Sequence, residues 1–199
     1  METRGTRLTS ATSPCEPGRR ISVVGTCGAG KTSVAQRLAE RLSLPHIELD
    51  ALFWGPDWTP RDELTFRSLV AQAASAEAWV IDGNYSRVRD LVWERAETVV
   101  WLDYSFARVF RQLLGRTLRR AFRREALWHG NRERLLKAFG SRESILLWAI
   151  RTHRRRRRQY EGLVRDPRNA RLTVLRFQGP RALEDWFQSV ARREVPSDE

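Results

Sequence analysis

The chain has 199 residues, 41% of them hydrophobic, and a formal net charge of +12. That length suits one domain, and such a domain buries roughly 70% of its unfolded surface without disulfide or metal staples. No apolar run approaches the ~18 residues of a membrane span, and with only 2 cysteines, Cys15 and Cys27, a disulfide framework is excluded in favour of a reducing cytosol.

Residues 1–18 are rich in Thr, Ser, Pro and Gly and read as a disordered tail that lacks the apolar core of a secretory signal. The domain is expected over 19–195. Its first strand is Arg20 to Gly25, a β-branched run ending at glycine. A helix follows from Lys31 to Leu42, with Val34, Ala35, Leu38, Ala39 and Leu42 at helical spacing. Pro45 to Leu49 reads as a second strand ending at Asp50, and residues 51–60 as an aromatic loop broken by Pro and Gly. A helix over 61–77 precedes a third strand, Trp79 to Asp82, stopped by Gly83-Asn84. A short helix over 86–95 leads to a fourth strand, Thr98 to Leu102, ending at Asp103. From Phe106 to about Arg124 the pattern is helical and very basic. His129-Gly-Asn131 and Gly140-Ser141 break it, and a long helix covers 143–161. A fifth strand, Arg171 to Phe177, and an amphipathic helix, Pro180 to Arg192, close the domain. Strands alternating with helices imply a parallel sheet covered on both faces, a three-layer α/β/α architecture.

Gly25-Thr26-Cys27-Gly28-Ala29-Gly30-Lys31-Thr32 fits G-x-x-x-x-G-K-[ST] and lies between a strand and a helix, the context the motif needs. Glycines let the backbone curl so that its N–H groups face phosphate oxygens, and the helix N-terminus adds partial positive charge. Residues 25–33, through Ser33, form the expected cradle for ATP. Lys31 is placed to reach the β- and γ-phosphates, and the Thr32 hydroxyl to ligate Mg²⁺. The alternative is a Gly-rich strand-to-helix turn with no ligand, while a dinucleotide site would leave Lys31 and Thr32 without a task. The dinucleotide fingerprint fails because Ser33 stands where its third glycine should be. Cys27 reads as a spacer donating a backbone N–H, or as a thiol that the helix terminus renders oxidisable.

Neither Ile81-Asp82-Gly83 nor Leu102-Asp103-Tyr104 gives the paired acids of a motor ATPase. Four motifs, 25–32, HIELDALFWGPDW (46–58), WVIDGNYSR (79–87) and VVWLDYS (99–105) before the basic helix, resemble the adenylate-kinase-related group of nucleoside monophosphate kinases. Most similar are the small bacterial proteins often labelled DNA topology modulation proteins. The resemblance spans most of 20–177. It implies a P-loop NTPase fold with a five-stranded parallel sheet ordered 2-3-1-4-5, and transfer of the γ-phosphoryl group of ATP. Two departures bear on the acceptor. Asp82-Gly-Asn-Tyr-Ser-Arg87 delays by one residue the arginine that holds the acceptor phosphate in adenylate kinases. Gln112 stands where those enzymes stack an arginine on adenine, while Arg116 falls at a lid-arginine position. The resemblance therefore implies ATP binding and leaves AMP unsupported as acceptor.

On the acceptor side, Asp50 ends a strand at the sheet edge where such folds bind ligands, and a carboxylate there suits an acceptor hydroxyl or its proton. Trp54 and Trp58 suggest an aromatic wall, and Arg87 an anion clamp. The alternative is that Asp50 caps a turn and the tryptophans fill core. Asp82 and Asp103 end their strands in the same way. Phosphoryl transfer needs cations more than covalent chemistry. Arg116, Arg119, Arg120 and Arg123 share one helix face, and Arg151, Arg154, Arg155 and Arg158 repeat the spacing. These faces predict an arginine-rich helical lid over about 106–160, with Arg116 and Arg120 toward ligand. Their alternative is a solvated charged surface. The arginine excess suits phosphate recognition, or reflects base composition alone. The readings carried forward are a cytoplasmic ATP- and Mg²⁺-dependent kinase for a small-molecule acceptor, a nucleotide or hydroxylated metabolite, with Lys31, Arg116 and Asp50 catalytic, and a nucleotide-dependent regulator that binds nucleic acid.

Overall fold

The structure, a computed structural model, describes residues 8–9, 16–123 and 145–191. Its elements are β1 (Leu8–Thr9), β2 (Arg20–Gly25), α1 (Lys31–Leu42), β3 (His46–Glu48), α2 (Leu49–Phe53), α3 (Glu63–Ala74), β4 (Trp79–Asp82), α4 (Arg89–Arg95), β5 (Thr98–Leu102), α5 (Phe106–Arg123), α6 (Ile145–Arg165), β6 (Thr173–Phe177) and α7 (Pro180–Ala191). The strands order as β1-β6-β5-β2-β4-β3, all parallel. Counted from Arg20–Gly25 as the first, five of them run 2-3-1-4-5, the expected order. Leu8–Thr9 adds a sixth at the outer edge of β6, opposite Val174 and Leu175.

Successive residues of the central strands serve opposite faces. Ile21 and Val23 of β2 and Val100 and Leu102 of β5 pack under α1 and α7, against Leu38, Trp186 and Phe187. Val24, Val99 and Trp101 pack the other way, against Phe66 and Val70 of α3, Val92 and Trp93 of α4, and Tyr160 and Val164 of α6. Burial on both faces explains why these strands read as continuous apolar runs. Burying a side chain such as Phe66, 1% exposed, contributes about 1.5–3 kcal/mol. Trp79 is fully buried and its indole N–H donates to the Ala74 carbonyl at 3.2 Å, so the large ring brings no orphaned donor into the core. At the start of α3, Asp62 accepts from the Thr65 N–H at 2.9 Å, which caps that helix.

One boundary differs from expectation. The second strand stops at Glu48 and Asp50 lies in α2, not at a strand end. Leu49 turns inward, 4% exposed, and sits over Gly83, where a Cβ would lie 2.7 Å from the Leu49 Cβ. Strand geometry would instead carry the next side chain to the opposite face. The basic helices appear as α5 and α6. The segment expected to break between them, with His129, falls among residues 124–144, outside the described residues.

Candidate active site

The P-loop closes through two glycines with no space for a side chain. Gly25 has φ 154°, and a Cβ there would lie 2.7 Å from the Leu102 carbonyl oxygen; Gly28 has φ 85°, and its Cβ would lie 2.8 Å from the Leu113 Cβ of α5. Both conformations are ones that L side chains avoid. Gly30 caps α1 in the left-handed region and faces open space. The first amides of α1 have no partner within the helix, the condition for anion binding at a helix N-terminus. Lys31 Nζ bends back toward the Thr26 carbonyl at 3.5 Å, a weak contact that leaves the ammonium available. Thr26 Oγ1 is buried without a partner, Ala29 is buried, and Thr32 and Ser33 are exposed beside the loop. Arg116 reaches in from α5, with Nη2 3.9 Å from the Cys27 Sγ and Nε buried and unpaired. Open amides, an ammonium and a guanidinium are the donor set a triphosphate needs. Among the described residues no three His, Cys, Asp or Glu side chains form a cation cage. Mg²⁺ commonly takes one or two protein ligands and fills its shell with phosphate and water, and the exposed Thr32 hydroxyl suits that role.

Asn84 ties this loop to the rest of the sheet edge. Its side-chain N–H donates to the Gly25 carbonyl, and its Oδ1 accepts from the Gly25 N–H at 3.4 Å and from the Tyr160 hydroxyl at 2.9 Å. Its own carbonyl accepts from Arg156 at 2.8 Å. One side chain thus couples β2, the turn after β4, and α6. Asn84→Ala should leave the Tyr160 hydroxyl unsatisfied in the interior, costing about 1–3 kcal/mol, and release the loop's first residue. The expected result is a lower melting temperature together with a roughly tenfold weaker ATP affinity by calorimetry. A variant that melts lower yet binds ATP as the parent does would limit Asn84 to a structural part.

Asp50 lies beside this turn. Its Oδ1 accepts from the Tyr85 hydroxyl at 2.5 Å. Burial, then the charge of Asp50, push the Tyr85 hydroxyl far above the ordinary phenol range, so it keeps its proton and donates it. Tyr85 packs with Phe53 and Phe66 at 4.8 and 5.1 Å between ring centres, and Phe53 carries the series to Trp54 at 4.8 Å and Trp54 to Trp58 at 5.7 Å. The structure therefore brings Asp50, Trp54 and Trp58 into one cluster. The two tryptophans meet edge to face and do not form two parallel walls. Arg87 is not brought to it: its side chain is 61% exposed and lies 3.7 Å from Glu63. Arg120 is on α5, and its side chain lies outside the described residues.

The two other strand-end carboxylates are occupied by protein. Asp103 Oδ2 accepts from Arg176 Nε and Nη2 at 2.9 and 2.5 Å and lies 3.2 Å from Arg157; Glu161 closes the network at 3.2 Å from Arg176. Asp82 lies 3.6 Å from His46 Nε2 and holds that imidazole's pKa above its ordinary value. Sequence reading passed over Asn84, Tyr85 and Tyr160. The signal available was an Asn-Tyr pair directly after the glycine that ends a central strand, the edge where such sheets place their ligands.

No protein-family model matches the chain, and no curated protein does. Among solved structures it is similar to a shikimate kinase from Bacteroides thetaiotaomicron, with 17% identity, TM-score 0.52 and coverage of 88% of this chain and 98% of that one. It is also similar to a gluconokinase from Sinorhizobium meliloti, with 20% identity, TM-score 0.48 and coverage of 89% and 93%. The first of these likenesses shows the fold alone, the α/β P-loop fold. No helix among the described residues is long and apolar enough to cross a membrane.

Proposed function

We propose that the chain is an ATP- and Mg²⁺-dependent phosphotransferase, working in the cytosol, that moves the γ-phosphoryl group to a hydroxyl of a small acceptor. One observation carries the reading: a carboxylate, Asp50, fixed by Tyr85 beside a P-loop whose Lys31 and neighbouring Arg116 have no carboxylate partner among the described residues. Bound Mg²⁺ would neutralise phosphate charge. The chain's residues do the rest. The loop amides and Lys31 would hold the β- and γ-phosphates, Thr32 would ligate the cation, and Arg116 would meet the charge that develops on the equatorial oxygens. Tyr85 occupies Asp50 Oδ1, leaving Oδ2 to orient the acceptor hydroxyl and take its proton. The resemblance to the adenylate-kinase-related group supports the same reading, and a nucleotide or a hydroxylated metabolite fits it as acceptor.

The test is a transfer screen, γ-labelled ATP against nucleoside monophosphates and hydroxylated metabolites, repeated with Asp50→Asn. On the acceptor found, kcat should fall about 100-fold while the Kd for ATP stays within twofold. Equal losses in ATP binding and turnover would make Asp50 a support of the loop instead. A second reading, nucleotide-dependent binding of nucleic acid, draws on Arg151, Arg154, Arg155 and Arg158, all exposed on α6. It requires duplex binding that weakens steeply with salt and responds to ATP.

A further inference from the structure

β3 lies at the rim of the sheet with β4 as its one neighbour strand. In their register His46 faces Val80 and Glu48 faces Asp82, so His46, Glu48 and Asp82 emerge on one face. The Asp82 side chain is 5% exposed and that of His46 17%. The imidazole Nε2 is buried without a hydrogen-bond partner and lies 3.6 Å from Asp82 Oδ1, within ion-pair range. A buried carboxylate left without a cation is costly, and the protonated imidazole is a cation beside it. Asp82, as acceptor and then as charge, raises the imidazole's pKa against the opposing effect of burial, and Glu48 adds to the rise. These two carboxylates, from β4 and β3, are the charged groups that act on His46 among the described residues; α1 and α2, which also pack against β3, add none.

We propose that His46 is a positioning residue: as imidazolium it pairs with Asp82 and clasps β3, and so the Asp50 that follows β3, to β4. The connection is short on both sides. α2 begins at Leu49 directly after Glu48, and Asp50 is its second residue. Gly83 and Asn84 follow Asp82, and Asn84 is bonded to Gly25 at the base of the P-loop. The pair therefore joins the strand that leads into Asp50 to the strand that leads into the P-loop's support. With 3 residues at a sheet rim, β3 has few backbone bonds of its own to hold it there. The clasp is fully formed below the ordinary histidine value of 6.5 and is lost as pH rises through the higher value in the folded chain. The clasp does not rest on the kinase reading; its effect on turnover does.

The first measurement needs no nucleotide and no turnover. In the full chain labelled with ¹⁵N at histidine, the His46 signal is the one of 3 that is missing from His46→Gln. Its titration midpoint should lie above 6.5 and drop in Asp82→Asn. The Val80 amide donates to the Pro45 carbonyl at 2.8 Å and so reports on the β3–β4 edge. Between about pH 6 and pH 9 its hydrogen-exchange protection factor should fall about tenfold for each pH unit by which the His46 midpoint exceeds 6.5. In His46→Gln it should stay flat. A His46 midpoint at or below 6.5 overturns the clasp, as does a Val80 protection that ignores pH or falls alike in His46→Gln. The second measurement rests on the kinase reading. With the acceptor found in the screen, the parent's kcat/KM should decline with the His46 midpoint, and His46→Gln should show the parent's high-pH value throughout. An alkaline decline that persists in His46→Gln overturns the positioning of Asp50. A chain that transfers nothing at any pH sinks the kinase reading, with the clasp still decided by titration and exchange.

Discussion

Replacing Lys31 with alanine should lower kcat/KM for phosphoryl transfer about 10²–10³-fold, the usual cost of removing one fixed donor from charge that develops in the transition state. The loss should be larger in kcat than in ATP affinity, because the loop amides, Arg116 and Mg²⁺ would still bind the ground state. Stability should hardly change. The ammonium's contact with the fold is the 3.5 Å approach to the Thr26 carbonyl, and the residue is the first of α1, where alanine is well tolerated. Steady-state kinetics and a thermal melt on the same sample decide the matter. Turnover within threefold of the parent would mean that the P-loop does not place this lysine on the transferring group.

The second large effect falls on stability. Asp103→Ala should cost about 3 kcal/mol, the lower end for breaking a buried ion pair. The carboxylate is 3% exposed, whereas Arg176 and Arg157 are 26% and 41% exposed and would regain water once freed. The network joins the end of β5 to β6 and α6, so its loss should appear as one cooperative shift in urea midpoint without a change in slope. In a protein of this size the melting temperature should drop by roughly 6–12 °C. Added salt should barely change the difference, since a buried pair is poorly screened. A cost below about 1 kcal/mol would class the network with surface ion pairs.

These two residues differ in how much of their role could be read before the fold was known. Lys31 announced itself, because its task is set by backbone geometry that eight consecutive residues encode. The central strands were equally legible, since burial on both faces leaves an unbroken β-branched signature. Asp103 was visible as a strand end but not as an ion-pair partner. Arg176 and Arg157 become its neighbours only when β6 lies beside β5 and α6 packs over both, adjacency that no local pattern contains. Arg87 and Arg89 make the same point at short range. Two residues apart, one goes to solvent beside Glu63 and the other packs against Tyr160, according to where α4 begins. Asp50 was found with its surroundings misjudged: a short helix holds it, and its fixing partner is a tyrosine 35 positions further along the chain.

The outer strands carry a different kind of consequence. β3 has 3 residues and β1 has 2, so each rim of this sheet presents little ladder on which a foreign strand could add. Between them lie strands that are apolar on both faces, sequences that would propagate if left uncovered. Among the described residues, Leu8–Thr9 pairs along the outer edge of Thr173–Phe177. A version of the chain begun at Gly18 would keep the whole P-loop and still hand β6 to its neighbours in solution. The first residues therefore bear on colloidal behaviour and yield, and a truncation chosen to tidy the N-terminus would trade a short strand for a sticky one.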